Sequence, residues 1–175
     1  MRFIPVVLAC LALLFCSAGQ AQFYNHVLTA DTQITAVTEY ITCIASIICD
    51  ASTNAATVAI IAGASTGTTV LTLKDLATDN GQSKIFDFNG GYFWVEGGCY
   101  VDLTNSVNCN VFTVIPSGDK LVKLKYVGTA SASFRDQWYG RTHTVSTNDI
   151  ITCSDAFAYS KLTSSSRADW KLYPY

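Results

Sequence analysis

Residues 85–114, IFDFNGGYFWVEGGCYVDLTNSVNCNVFTV, alternate with a period of two. Cys99, Val101 and Leu103 fall on one face. After the Thr104-Asn105-Ser106 turn, Val107, Cys109, Val111 and Thr113 continue that face, while Tyr100, Asp102, Asn108 and Asn110 take the other. Successive side chains of a strand point to opposite sides, so this is the pattern of a half-buried antiparallel sheet. The stretch reads as a strand, a Gly-Gly turn, a second strand, a Gly-Gly break and then a hairpin. It sets the fold class as all-β and holds no reaction chemistry.

The rest of the chain follows suit. Ile34–Asp50 is rich in β-branched residues, with Ile41, Cys43, Ala45, Ile47 and Cys49 on one face and a second face almost as apolar. That is a central strand with room for a bulge. Thr57–Ala62 and Thr68–Leu73 are strands around a Gly63–Gly67 turn, and Asp75–Ser83 is a loop with an Asn-Gly turn signal. Gln22–Asp31 reads as a polar leader. Turn signals at about ten-residue spacing are those of an antiparallel β-sandwich. Pro116-Ser117-Gly118-Asp119 is the best internal boundary. Beyond it, Lys120–Val127 alternates, His143–Cys153 offers two short strands around Asn148-Asp149, and Phe157–Arg167 is Ser-rich and poorly defined. No helix is expected past the N-terminal segment. The expected organisation is a leader over 1–21, a β-sandwich over 22–116 and a C-terminal β extension or small second domain over 117–175.

The first 21 residues have the form of a secretory signal peptide. Arg2 precedes an apolar run from Phe3 to Cys16, and Gly19 and Ala21 stand at the −3 and −1 positions of a cleavage site. The run falls short of the roughly 20 residues a membrane span needs. The expected location is therefore exported (extracellular or periplasmic) or on a virion, with no stable span after cleavage. Charged residues make up only 14%, below the usual quarter, so the surface is wetted by hydroxyls and amides. The net charge of −2 gives no electrostatic case for nucleic acid or an anionic membrane. An eight-stranded outer-membrane barrel is the rival architecture. It is disfavoured by Pro174 in the closing strand, by the cysteines and by strands that are short or apolar on both faces.

Of seven cysteines, Cys10 and Cys16 lie in the leader, which leaves Cys43, Cys49, Cys99, Cys109 and Cys153. Export permits disulfides. Cys99 and Cys109 share the inward face, and a turn near Thr104 would set them opposite. Cys43 and Cys49 cannot bond each other along one strand, since six extended residues span about 20 Å. Each would need a partner on another strand. Five is odd, so at least one thiol stays free or bonds another chain. The alternative is that all five are small buried hydrophobes.

Reaction chemistry finds little support. Gly63-Ala64-Ser65-Thr66-Gly67 matches G-x-S-x-G, but a strand-like TTVLTL follows where a nucleophile elbow opens a helix. His143 has Ser146, Asp149, Cys153 and Asp155 nearby in sequence, which says little about a triad or a Cys-His pair. Glu39 and Glu96 are the only glutamates; Glu96, beside Tyr92, Phe93 and Trp94, reads as a strand-end charge. Asp75…Asp79-Asn80-Gly81 lacks the spacing and closing Glu of a calcium loop. No catalytic residue, metal site or cofactor is expected. Aromatics give the better binding signal. Trp94 and the loop Arg135-Asp136-Gln137-Trp138-Tyr139-Gly140-Arg141 nominate Trp94, Trp138, Tyr139, Arg135 and Arg141 as candidate binding residues.

Residues 36–116 also resemble a family of small β-sandwich structural proteins of tailed bacteriophages. The resemblance rests on Ala55-Ala56-Thr57-Val58-Ala59-Ile60, Val70-Leu71-Thr72-Leu73, Phe88-Asn89-Gly90-Gly91-Tyr92-Phe93 and Tyr100-Val101-Asp102-Leu103. It implies a jelly-roll-like sandwich used in virion assembly or decoration, and it brings no functional residues with it. The function expected is that of a non-enzymatic structural subunit, partnered by itself or by other particle or surface proteins. The alternative is a secreted carbohydrate-binding or adhesin module that uses exposed aromatics.

Overall fold

The computed structural model describes residues 21–36, 41–51, 55–77, 82–88, 91–105 and 107–173. The leader up to residue 20, Glu39, Asp79-Asn80-Gly81, Asn89-Gly90, Ser106 and Pro174-Tyr175 lie outside them. Nine of the described strands build a two-sheet sandwich: β1 (Gln22–Leu28), β2 (Thr32–Thr35), β3 (Ile41–Ala51), β4 (Thr57–Ala62), β5 (Thr68–Leu73), β6 (Lys84–Asp87), β7 (Phe93–Glu96), β8 (Cys99–Thr104) and β9 (Val107–Ile115). One sheet has the order β1-β9-β3-β6, with β7 also on β3; the other runs β2-β8-β4-β5. All these pairs are antiparallel. The first strand pairs the last, the second pairs the last but one, and so on inward to the β4–β5 hairpin. That is a long hairpin rolled over on itself, the jelly roll. Alternate residues of the two sheets, among them Ile44, Ile47, Val58, Ile60, Val95, Val101 and Val111, meet in the sandwich core.

The structure corrects the sequence reading in four places. First, β8 and β9 do not form a hairpin: they lie in different sheets, and the chain crosses between them at Asn105 (φ 62°). Both strands still bury the same alternate residues. Alternation is identical whether two strands hydrogen-bond or face each other across a core. Second, the 22–28 stretch is a strand, paired along its whole length with β9. Third, Ile41, Cys43, Ile47 and Cys49 do not share a face. The register of β3 against β9 shifts between Ile44 and Ser46, and this bulge inverts the alternation. Ile47 and Cys49 point into the sandwich, whereas Ile41 joins a second core on the other side. Fourth, Asp155–Thr163 is a helix, α1. Ser154 caps it by accepting a hydrogen bond from the Phe157 N–H, and Asp155 and Lys161 suit its two ends. Its Ser- and Ala-rich sequence has no clean apolar stripe to announce it.

The remaining C-terminal elements are β10 (Leu121–Tyr126), β11 (Ala132–Asp136), β12 (Arg141–Val145), β13 (Ile150–Ser154), a short 3-10 turn (Ser165–Asp169) and β14 (Trp170–Leu172). They form a β13-β10-β14 sheet and a β11–β12 hairpin. Their core gathers Leu124, Tyr126, Val145, Phe157, Leu162 and Trp170, with Ile41 from β3 and Trp94 from β7 packed into it. The extension therefore covers one end of the outer face of the first sheet. No described helix is long and apolar enough to cross a membrane.

Candidate functional site

The aromatic-basic loop is the tip of the β11–β12 hairpin, and a buried carboxylate holds it in shape. Asp136 is fully buried. Its Oδ1 accepts from the Trp138 N–H at 3.2 Å, the Tyr139 N–H at 3.0 Å and the Ser154 hydroxyl at 2.8 Å; its Oδ2 accepts from the Ser154 N–H at 2.7 Å. Four donors make this an affordable buried charge. They tie the tip to the start of α1. Trp138 lies against Gly118, where an added Cβ would come within 2.7 Å of the indole. Gly118 also has φ +101°, a conformation that suits glycine.

Trp138 and Tyr139 are 43% and 49% exposed, so the tip presents both to solvent. Arg135 and Arg141 are also exposed but do not converge. By strand parity Arg141 shares the face of Asp136 and His143, and Arg135 lies on the opposite face. Trp94 is elsewhere. It sits opposite Cys43 on β7, edge-on to Tyr92 and packed against the C-terminal core. Lys120 Nζ stands 4.0 Å over the Tyr92 ring. Tyr92, Trp94 and Lys120 thus help fasten the extension to the sandwich.

The second candidate surface was not singled out from sequence. Among the described residues, the outer face of the first sheet is covered only at its β7 end. At the β6 end, one register row crosses four strands: Val27, Asn110, Ile48 and Ile85. The next row is Asn25, Phe112, Ser46 and Asp87. Val27 is 70% exposed and Ile85 67%, and Phe23 on the same face of β1 is 62% exposed. At strand spacings near 4.8 Å, the row spans about 15 Å. The one available signal was that β3 is apolar on both faces.

Ser65 lies in the turn between β4 and β5, a hairpin and not a strand-to-helix elbow. His143 is buried against Phe157, and among the described residues its Nε2 has no hydrogen-bond partner. Burial lowers its pKa, with the Asp136 charge opposing and Arg141 assisting. The Asp149 carboxylate accepts from the Ser146 N–H within its turn at 2.7 Å. Burial, helped by the charges of Asp136 and Asp155, pushes the Cys153 thiol up to about 12, which leaves little thiolate at neutral pH. Asp155 is fully buried; burial raises its pKa, and the N–H groups of Ala156, Lys120 and Gly118 pull the other way. Glu96 lines an open cleft of about 390 Å³ with Leu162, Arg167, Trp170 and Lys171. Among the described residues, no three His, Cys, Asp or Glu side chains converge as metal ligands.

All five described cysteines are buried thiols. Cys99 is on β8 and Cys109 on β9, in the two facing sheets. The residue opposite Cys109 in its own sheet is Cys49.

No family model matches the chain. No curated protein matches it. Among solved structures, a match is the infectious bursal disease virus VP2 subviral particle, at 14% identity and a TM-score of 0.24. The match covers 78% of this chain and 40% of that one, so this chain spans well under half the length of the VP2 chain. A likeness that slight carries no weight for function.

Proposed function

We propose that this chain is a non-enzymatic structural subunit, exported or carried on a particle, that assembles with copies of itself as a virion assembly or decoration protein. The observation that carries the reading is the patch of Val27, Ile48 and Ile85, interrupted by Asn110 and bordered by Phe23 and Phe112, which the described residues leave uncovered. Apolar surface in water is unfavourable by about 25 cal/mol per Å², and contiguous patches of it mark interaction sites. The amides of Asn25, Asn108 and Asn110 stand among these side chains, each both donor and acceptor. The carboxylates of Asp50 and Asp87 stand on the same face beside these amides, and the apolar and amide groups between them suit a two-fold contact between identical chains. The jelly roll recurs in viral capsid and lectin domains alike, so the fold by itself is only an analogy.

Sedimentation velocity over a concentration series tests the reading. The leader-free chain should associate, and the Val27→Lys/Ile85→Lys variant should stay monomeric with an unchanged circular dichroism spectrum. A chain monomeric at every concentration, and absent from particle fractions of its source on a density gradient, would sink it.

One observation favours a second reading, a carbohydrate-binding module. Trp138 and Tyr139 are both partly exposed at a tip braced by Asp136, and exposed aromatic rings carry a large apolar face with a polar handle, which suits sugar rings. Glycan-dependent tryptophan fluorescence that disappears in Trp138→Ala would support that reading.

A further inference from the structure

We propose that Cys49 and Cys109 form an intrachain disulfide that joins the two central strands of the first sheet. The two residues are direct register partners on antiparallel β3 and β9. Residues so placed have Cα atoms about 4.5–5.5 Å apart, inside the range of roughly 4.4–6.8 Å that a disulfide spans. Their Sγ atoms are 2.6 Å apart, closer than two unbonded sulfurs normally rest. Both side chains are at most 1% exposed and point into the sandwich core. The β3 bulge makes the pairing possible, because it separates Cys49 from Cys43 and turns Cys49 inward.

The other described cysteines are placed differently. Cys99 lies on the facing sheet, and packed sheets stand about 10 Å apart. Cys43 is opposite Trp94 on β7. The Cys153 thiol donates to the Val122 carbonyl at 3.8 Å in the C-terminal core. Cys109 and Cys49 thus have each other in reach.

The bond forms by two thiol–disulfide exchanges with an external disulfide, either an oxidised dithiol carrier protein or a small-molecule disulfide of an exporting compartment. One cysteine thiolate attacks the carrier, which releases one carrier thiol and leaves a mixed disulfide. The second thiolate then displaces the other carrier thiol. The two cysteines lose two electrons and two protons, and the carrier gains them as two thiols. In the closed sandwich, the hydrogen bond to the Cys49 thiol, and after it burial, raise the Cys109 pKa. The exchange therefore belongs to folding, before the sheets close. The bridge encloses the 60-residue separation that contains β4, β5 and β8 of the second sheet and β6 and β7 of the first. Loops of that length lose much unfolded-state entropy when closed.

The test is peptide mapping of the unaltered full chain, secreted through an oxidising compartment and alkylated with N-ethylmaleimide in denaturant. The expected result is a linked peptide pair that fragmentation assigns to Cys49 and Cys109, with an intact non-reduced mass, taken before alkylation, about 2 Da below the all-thiol form. Reduction should lower the thermal midpoint by on the order of 10 °C. Cys49→Ala should free Cys109 for alkylation, and Cys99→Ala should leave the link intact. Alkylation of Cys49 and Cys109 in the secreted protein overturns the proposal. So does a link from Cys109 to Cys99 or to a second chain. The map of the unaltered chain decides even if a variant does not fold.

Discussion

The Asp136 carboxylate binds Ser154 twice, at its N–H (2.7 Å) and at its hydroxyl (2.8 Å), although the residues are 18 apart in sequence. The same hydroxyl accepts from the Phe157 N–H at 3.1 Å. One buried carboxylate therefore sets both the hairpin tip and the start of α1. Asp136→Ala leaves the N–H groups of Ser154, Trp138 and Tyr139 without their acceptor. The Ser154 N–H is buried and the other two are part-buried, so at about 1–3 kcal/mol for an orphaned buried group the loss should be about 2–4 kcal/mol in urea unfolding. Asp136→Asn should lose less. A loss under about 1 kcal/mol for the alanine variant would show that the network is not structural.

Gly118 gives a narrower test of the same region. A Cβ there meets the Trp138 indole and is strained at φ +101°. Gly118→Ala should destabilise by about 1–3 kcal/mol and shift the Trp138 emission. Gly140, also at positive φ (+68°) but with nothing within 4 Å of an added Cβ, separates the two causes. Gly140→Ala should carry the backbone strain alone and be the milder change.

The two cores should respond differently from the open face. Phe157 is 2% exposed and meets Trp170 edge-on at 6.1 Å between ring centroids. Phe157→Ala should lose about 3–5 kcal/mol. Ile85→Ser, on the uncovered row, should change monomer stability by no more than about 0.5 kcal/mol while weakening self-association. Equal destabilisation by both changes would mean that Ile85 is covered within its own chain.

Acid sensitivity follows from the histidines. Burial lowers the pKa of both His26 and His143. In the unfolded chain an imidazole takes up its proton near pH 6.5, and in the folded chain only at lower pH. Between those values the unfolded state binds more protons, so stability falls as the pH drops below about 6.5. Asp155 acts in the opposite sense. Its folded pKa is raised, so its contribution is greatest at low pH and is lost as pH rises from the unfolded value through the folded one. His143→Gln should flatten the fall in urea midpoint below pH 6.5; parallel wild-type and variant curves would contradict it.

Much of the fold was legible locally. Val122, Leu124 and Tyr126 alternate in sequence and are buried in the structure, as are Cys99, Val101, Val107, Cys109 and Val111. The Gly63–Gly67 turn and the strands around it also lie where the residues indicate. The helix was illegible because its cap and end charges are small signals within a Ser-rich stretch. Of the candidate binding residues, Trp138 and Tyr139 are presented at one tip, while Trp94 faces a core that only the folded extension creates.

The sequence by itself determined which alternate residues of β8, β9 and β10 are buried, because the period of two is a property of the strand alone. It determined the all-β class and most turns for the same reason. Which strand lies beside which was decided by the tertiary structure. A hairpin and a sheet-to-sheet corner bury the same alternate residues, so nothing local tells that Cys109 faces Cys49 and that Cys99 lies on the opposite sheet. A single inserted residue in β3 then reverses which side of the sheet Ile41 and Cys43 occupy. Its effect exists only relative to a paired strand, and so it can be read only once β9 is in place.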